Sequence, residues 1–283
     1  MSATALSLAR PADLAEASRA LADGGRALAG GTDLVPLLRD GLVRAESLVD
    51  VRAALPRGIE GERIGAGTTL AELEGSDDVP DALREACRLA ASPQLRMMGT
   101  IGGNLLQATR CWYWRLAFPC RLHGGDVCHA REGEHREHAI LGNDFCASAH
   151  PSDPAAALLA LDATVETTKR RLPLGDLYRL PDESDHEVTM LEPDELVVAL
   201  EVERAEGSVY LKAMDRQRFS FPLVGVAAVH RNAETRIALS GVAPIPWALA
   251  SAEDLEGATP LPGTAYKLEI ARALVRRALE AVA

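Results

Sequence analysis

The sequence predicts an α+β protein with mixed sheets and a smaller C-terminal α/β unit. Short apolar stretches with strand periodicity alternate with short amphipathic helices in both halves of the chain. Glycine pairs separate several of these elements, and residues 111–146 carry four cysteines but no regular periodicity. With 283 residues, of which 47% are apolar, the chain is long enough for one large domain or two ordinary ones.

Composition limits the classes of partner. The formal net charge of −11 argues against a nucleic acid or an anionic membrane as the main partner. No run of about 18 apolar residues is present, and the N-terminal stretch lacks the basic start and apolar core of a secretory signal. We therefore expect a cytoplasmic protein, in which clustered cysteines favour metal binding over disulfides.

The regular elements follow from periodicity and from helix and strand stop signals. The first glycine pair of interest, Gly30-Gly31, joins a short strand to a short helix. The predicted elements are, in chain order, a helix over 14–21, a strand at 26–29, a helix at 34–38, strands at 47–51 and 63–69, helices at 70–74, 81–91 and 155–161, strands at 163–167, 195–202, 210–213, 224–230 and 236–240, and a long amphipathic helix at Tyr266–Val282.

A strand, a Gly-Gly turn and a helix in succession can present free backbone N–H groups to an anion. Residues 30–33 have this order, but they match neither G-x-G-x-x-G nor a P-loop. Two interpretations stay open for this turn: a phosphate site or a tight connection between strand and helix.

A second glycine pair lies in the stretch Thr100-Ile101-Gly102-Gly103-Asn104-Leu105. Two adjacent glycines indicate either a close approach of the backbone to another group or a turn with positive φ. Asn104 adds hydrogen-bond donors and an acceptor. We interpret this stretch as a second phosphate-type cradle beside the cysteines that follow it.

The four clustered cysteines are Cys111, Cys120, Cys128 and Cys146, with the spacing C-x8-C-x7-C-x17-C. No C-x-x-C is present, so the pattern is neither a zinc ribbon nor a ferredoxin motif. A [4Fe–4S] cluster, a zinc ion and unliganded thiols all stay open. Nearby aromatic residues could shield a cluster from water or belong to the core. Cys87 is predicted to be a buried apolar residue.

The histidines of this segment, at 123, 129, 135 and 138, are predicted to be loop residues and not iron ligands. An acidic loop at 181–185 marks a predicted internal boundary.

These motifs together resemble the FAD-binding medium subunits of molybdenum hydroxylases, the xanthine dehydrogenase and carbon monoxide dehydrogenase group. The first flavin motif of that family is similar to Leu28-Ala29-Gly30-Gly31-Thr32-Asp33-Leu34, and its second to residues 94–105. The four-cysteine insertion, with Thr109-Arg110-Cys111-Trp112-Tyr113 and His150-Pro151-Ser152-Asp153, resembles the branch of 4-hydroxybenzoyl-CoA reductase and bacterial aldehyde oxidoreductases, whose flavin subunit carries an extra [4Fe–4S] cluster.

The resemblance implies a two-subdomain FAD-binding fold of the vanillyl-alcohol oxidase/PCMH type and a C-terminal domain of the CO dehydrogenase flavoprotein type. The implied domains are residues 1–175, with the iron–sulfur insertion at about 108–148, and residues 176–283. The implied cluster ligands are the four cysteines. The implied FAD-binding residues are Ala27, Leu28, Ala29, Gly30, Gly31, Thr32, Asp33, Leu34, Thr100, Ile101, Gly102, Gly103, Asn104, Asp153 and Lys212.

Within that set, the two glycine stretches would hold the FAD pyrophosphate. Asp153 would bind the sugar or ribityl part, and Lys212 would lie near the isoalloxazine, where a cation stabilises the anionic reduced flavin.

Three functions follow as hypotheses. The main one is an FAD and [4Fe–4S] electron-transfer component, working with a molybdopterin-binding large subunit, a [2Fe–2S] small subunit and an external electron carrier. The second is a self-sufficient flavoenzyme that acts directly on a small molecule. The third is a zinc-stabilised binding protein without a redox role. General acid or base residues are not assigned by the sequence.

Overall fold

The computed structural model describes residues 6–283. The first five residues, part of the stretch used above to argue against a secretory signal, lie outside this range. The described strands are β1 (Ser7–Ala9), β2 (Arg26–Leu28), β3 (Ser47–Asp50), β4 (Ile59–Glu60), β5 (Arg63–Gly65), β6 (Thr164–Thr167), β7 (Arg171–Pro173), β8 (Val197–Glu201), β9 (Gly207–Ala213), β10 (Val224–Arg231), β11 (Glu234–Ser240) and β12 (Trp247–Leu249). The α-helices are α1 (Leu14–Ala22), α2 (Leu34–Arg39), α3 (Leu70–Glu74), α4 (Asp81–Leu89), α5 (Pro93–Met98), α6 (Ile101–Leu105), α7 (Trp112–Arg115), α8 (Asp153–Ala160) and α9 (Tyr266–Val282).

Within residues 6–283, three sheets carry the fold together with the helices, which confirms the α+β prediction. The N-terminal sheet is parallel, in the order β1-β3-β2. The second sheet is antiparallel, in the order β4-β5-β8-β6-β7. The C-terminal sheet is antiparallel, in the order β12-β11-β10-β9, and α9 packs on its β9 and β10 strands.

Strand β8 lies at the centre of the second sheet, between β5 and β6. It follows the predicted boundary at 175/176 in sequence, yet it pairs with strands that precede that boundary. The division of the chain at 175/176 stays a prediction, and this pairing favours a division after β8.

Helix α8 joins the two larger sheets into one core. It begins at Ser152, whose hydroxyl accepts a hydrogen bond from the backbone N–H of Ala155 at 3.0 Å. Almost every residue of α8 is buried, because the helix packs against α4 on one side and against β10 and β11 on another. Apart from Asp153 at its first position, α8 is apolar on all sides, as is typical of an interior helix.

The sequence predicted several element boundaries well. Helix α9 has the predicted bounds, and α2 differs from its prediction by a single residue. The predicted irregularity of residues 111–146 is confirmed, since they contain only α7 and a single 3₁₀ turn (Arg121–His123). No helix within residues 6–283 combines the length and the apolar character needed to cross a membrane.

Candidate cofactor cleft and cysteine segment

A large cleft lies between the β2–α2 connection and the start of α6. Its cavity volume is about 680 Å³, within the range usual for cofactor sites. Twelve of the fifteen predicted flavin-site residues line it: Ala27, Ala29, Gly30, Gly31, Thr32, Asp33, Leu34, Thr100, Gly102, Gly103, Asn104 and Asp153. Three do not line it: Leu28, Ile101 and Lys212.

The first glycine pair presents bare backbone to the cleft. A Cβ placed on Gly30 would lie 1.9 Å from the carbonyl oxygen of Met98, so only glycine lets these two segments meet. Gly31 has φ +71°, a conformation that glycine adopts without strain. Among the described residues, no hydrogen-bond acceptor faces the backbone N–H groups of residues 30–33. These donors are therefore available to a ligand in the cleft.

The second glycine pair differs from its prediction. Gly102 and Gly103 lie in helix α6 and do not have positive φ, so of the two alternatives predicted for this pair only close approach applies. Their N–H groups are already used, since Gly102 donates to Ala66 O at 3.1 Å and Gly103 to the Thr100 hydroxyl at 3.2 Å. Glycine is favoured at position 102 because the backbone passes close to Ala66: an added Cβ would lie 3.0 Å from the Cβ of Ala66.

Asp153 and Lys212 form a buried ion pair. The Lys212 Nζ lies 2.8 Å from Asp153 Oδ2, and Tyr210 donates its hydroxyl to Asp153 Oδ1 at 2.5 Å. Burial raises the pKa of Asp153, while the Lys212 charge and the two hydrogen bonds oppose that shift. Lys212 also donates to the carbonyl oxygens of Leu89 and Ser220. It is thus held behind Asp153 and does not line the cleft.

The four clustered cysteines are free thiols in the irregular segment of residues 108–148, which we call the cysteine segment. Burial raises the pKa of Cys111 to about 11, and the charges of Cys120 and Cys128 add to the shift. Burial likewise raises the pKa of Cys146 to about 12, with contributions from Cys128 and Cys111. Cys111 and Cys146 are thus each affected by the charges of two other cysteines of the set.

Cys87 does not belong to this set, because its side chain is fully buried in the apolar core. Burial raises its pKa, as expected for a thiol that acts as a small apolar residue. Within the part of the chain that the structure describes, no set of three or more His, Cys, Asp or Glu side chains is grouped to hold a metal ion.

Asp33 connects the cleft to the cysteine segment. Its carboxylate accepts from the N–H of Ala108 at 2.8 Å, and it pairs with Arg110 at 2.9 Å and Arg115 at 3.0 Å. Asp33, one of the residues whose backbone was predicted to hold the pyrophosphate, is therefore bound through its carboxylate to the segment that carries the cysteines. The sequence did not predict roles for the two arginines, although both stand within four residues of Cys111.

A second, smaller cavity of about 80 Å³ lies between the cleft and Cys111. Arg110 and His150 line both cavities, and Cys111 and His138 line the smaller one. His150 is 3% exposed, and burial lowers its pKa to about 4, so the ring is neutral at pH 7. These residues form the boundary between the two halves of the candidate site.

Comparison with known proteins identifies what this architecture is similar to. Residues 4–203 match the family described as the FAD binding domain in molybdopterin dehydrogenase. The aldehyde oxidoreductase FAD-binding subunit PaoB of Escherichia coli is 38% identical over 249 residues, which cover 81% of this chain and 78% of PaoB.

Two solved structures share the fold over nearly the whole chain. The quinoline 2-oxidoreductase structure from Pseudomonas putida has a TM-score of 0.71 at 22% identity and covers 98% of this chain and 97% of its own. The carbon monoxide dehydrogenase of Hydrogenophaga pseudoflava has a TM-score of 0.68 at 24% identity, with coverage of 98% and 96%.

Proposed function

Because the chain belongs to the family of FAD binding domains in molybdopterin dehydrogenases, we propose that it is an electron-transfer component that holds both FAD and a [4Fe–4S] cluster. Its class is that of a flavin-dependent oxidoreductase subunit. The proposal gives it the task of passing electrons between a partner molybdenum/iron–sulfur subunit and an external carrier. The observation that carries it is the Asp33 connection between a cleft of cofactor size and a segment with four cysteines.

The FAD pyrophosphate would lie on the first glycine pair. Residues 30–33 offer backbone N–H groups that have no acceptor among the described residues, and Gly30 has no side chain to block a phosphate. Arg110 and Arg115 neutralise Asp33, so the carboxylate does not repel the two phosphates.

The second glycine pair would act through shape, because its N–H groups are already bonded within the protein. Gly102 and Gly103 line the cleft without side chains that would project into it. Asn104 fixes the position of Ser152, because its side-chain oxygen accepts a 2.5 Å hydrogen bond from the serine hydroxyl. This places Asp153, the next residue, at the wall of the cleft. Asp153 would bind the sugar or ribityl hydroxyls, and Lys212 would keep that carboxylate ionised and would supply positive charge from behind it.

The cluster would be bound by Cys111, Cys120, Cys128 and Cys146. All four are free thiols within one segment, and each of the two with raised pKa senses the charge of other members of the set. A four-iron cube takes ligands at separate corners, so its four sulfurs need not converge as closely as ligands of a single ion. FAD exchanges electrons singly or in pairs, whereas an iron–sulfur cluster exchanges one at a time.

The partner proteins proposed are a molybdopterin-binding large subunit and a [2Fe–2S] small subunit, because the family description and the name of PaoB describe parts of larger enzymes. Chemistry on the organic substrate would take place in the large subunit. We propose that the protein is cytoplasmic, because clustered cysteines stay free of disulfides in a reducing environment.

The test is a visible spectrum of protein purified without oxygen, recorded before and after dithionite, with iron, zinc and flavin counted on the same sample. Flavin bands over a broad brown shoulder that bleaches, with about four irons per chain, are the expected result. Flavin without iron, after reconstitution with ferrous iron and sulfide, would contradict the cluster and favour a flavoenzyme that acts alone. Zinc without flavin would contradict the whole proposal.

A further inference from the structure

A buried histidine contacts one of the four clustered cysteines directly. The Nε2 of His138 lies 3.2 Å from the Sγ of Cys111, within hydrogen-bonding range for sulfur. The imidazole is 2% exposed, so water does not compete for this contact. None of the roles proposed above uses His138.

The surroundings of His138 hold the ring in one orientation. Its backbone N–H donates to His135 O at 2.9 Å, and the preceding carbonyl, that of Glu137, accepts from Lys267 at 2.8 Å. Trp112 meets the imidazole edge-on, with ring centroids 4.8 Å apart. Because the backbone is held on both sides and the ring is packed, the Nε2 is aimed at the sulfur by structure already in place.

The other ring nitrogen decides the direction of the hydrogen bond. The Nδ1 of His138 is buried, and no described residue provides it with a partner. A proton on Nδ1 would leave a buried donor unsatisfied, which is costly. A neutral imidazole carries one N–H, and a cysteine that ligates a cluster is a thiolate that can only accept, so with a cluster on Cys111 the N–H lies on Nε2 and is donated to that sulfur.

We propose that His138 is a positioning residue that tunes the reduction potential of the cluster, through an Nε2–H hydrogen bond to the Cys111 thiolate. This inference rests on the function proposed above, because it needs a cluster on Cys111. Addition of one electron to the cluster adds one negative charge to the cluster and its four thiolates. An N–H donated to one of these sulfurs stabilises the reduced form more than the oxidised form, so it raises the potential.

The variants that test this are His138→Leu, which removes the donor, and His138→Gln, whose amide keeps an N–H at similar reach. His123→Leu is the matched control. His123 lies in the same segment but is exposed, and its ring contacts Trp114. The cluster potential is measured by dithionite titration with mediators, read by EPR of the reduced cluster in the full chain.

In His138→Leu, we expect the equilibrium constant for one-electron reduction of the cluster to fall about tenfold, which corresponds to about 59 mV. His138→Gln should restore most of the loss, and His123→Leu should leave the potential unchanged. Equal potentials in wild type and His138→Leu, with iron retained in both, would overturn the inference while leaving the proposed function intact. A wild-type chain without iron would instead overturn the proposed function, and the inference with it.

A second measurement uses the wild-type chain, so that loss of iron in a variant does not leave the question open. Pulsed EPR of the reduced cluster, in protein labelled with [15N]histidine, should detect one weak nitrogen coupling, as expected for an N–H next to a ligand sulfur. Absence of any coupling would overturn the inference. A strong coupling would mean that a histidine ligates iron directly, and it would overturn the inference as well.

Discussion

The cleft and the cysteine segment are adjacent but are built in different ways. The cleft is shaped by backbone: strand–turn–helix connections, glycines at close contacts and N–H groups left free by the turn at residues 30–33. The cysteine segment has almost no regular structure. It is held by side chains that donate to backbone carbonyls, such as Arg121 to Phe145 O at 2.9 Å and Lys267 to Glu137 O at 2.8 Å.

This difference shows that the geometry of the cleft comes from regular elements and that of the cysteine segment from side-chain contacts. Regular elements impose the positions of the backbone N–H groups, so the geometry of the cleft is set by secondary structure. A segment held by scattered side-chain contacts has fewer constraints, and metal binding is a common source of further folding energy for such segments. We therefore expect the cleft to tolerate loss of the proposed cluster, and the cysteine segment to respond to it.

The largest effect should come from Gly30→Ala, which changes the lining of the cleft. The new methyl group would lie 1.9 Å from Met98 O, a backbone atom, so the two segments must move apart. We expect loss of bound flavin and a fall in the free energy of unfolding of about 3 kcal/mol, measured by flavin content and by urea denaturation. Gly257→Ala is the control, because a Cβ at Gly257 meets no described atom within 4 Å. Retained flavin in Gly30→Ala would mean that the first glycine pair is not the cradle.

Cys128→Ala tests the cysteine segment. Removal of one of the four thiols should lower the iron content to near zero, while flavin stays bound because the cleft is built from other elements. Iron and flavin are counted on the same anaerobic preparation. Cys87→Ala, in the apolar core, should keep its iron. Equal loss of flavin and iron in Cys128→Ala would contradict the independence of the two regions.

Asp33→Ala tests the connection between them. The substitution removes three hydrogen bonds or ion pairs, to Ala108, Arg110 and Arg115, and leaves the two arginines without their carboxylate. We expect a loss of about 2 to 3 kcal/mol in the free energy of unfolding and weaker binding of both flavin and iron.

The matched control is Asp40→Ala, since the Asp40 carboxylate pairs with Arg39 on the surface and should be dispensable. An Asp33→Ala chain with wild-type flavin affinity and iron content would show that Asp33 does not couple the two regions.

His150 lies on the boundary and should give the smallest effect. Burial lowers its pKa to about 4, whereas an unfolded histidine titrates near 6.5. Between these values only the unfolded chain binds the proton, so stability falls as the pH drops below about 6.5. About 2 kcal/mol should be lost between pH 7 and pH 5 from this group.

His150→Gln should remove that share of the pH dependence, as measured by urea denaturation at both pH values. His230→Gln serves as the control, because the His230 side chain is partly exposed. An unchanged slope in His150→Gln would mean that His150 is protonated in the folded chain.

Much of the fold could be predicted from the sequence, because local rules decide the elements. The apolar spacing of α9 predicted its bounds, and the glycine pair at 30–31 predicted a strand–turn–helix connection. Long-range pairing could not be predicted in the same way. Strand β8 joins a sheet whose other strands lie before residue 174, and nothing in its own apolar residues specifies those partners.

For the candidate site, too, local features could be predicted from the sequence and long-range contacts could not. The chemistry of its residues could be predicted from the sequence: four cysteines in one irregular segment, two glycine pairs and, through the family resemblance, the carboxylate of Asp153. Their spatial relations could not. The helical state of Gly102 and Gly103 depends on the Thr100 cap and on the approach of Ala66.

The sequence by itself determined the types of element, the cysteine set and the family resemblance, because these depend on residue identity and on spacing along the chain. The tertiary structure decided which groups meet. It placed Asp33 on Arg110 and Arg115, Lys212 behind Asp153, and the Nε2 of His138 on the sulfur of Cys111. The partners in these contacts are separated by 27 to 82 residues. The physical reason is that the folded core brings such groups together, whereas spacing along the chain specifies only near neighbours.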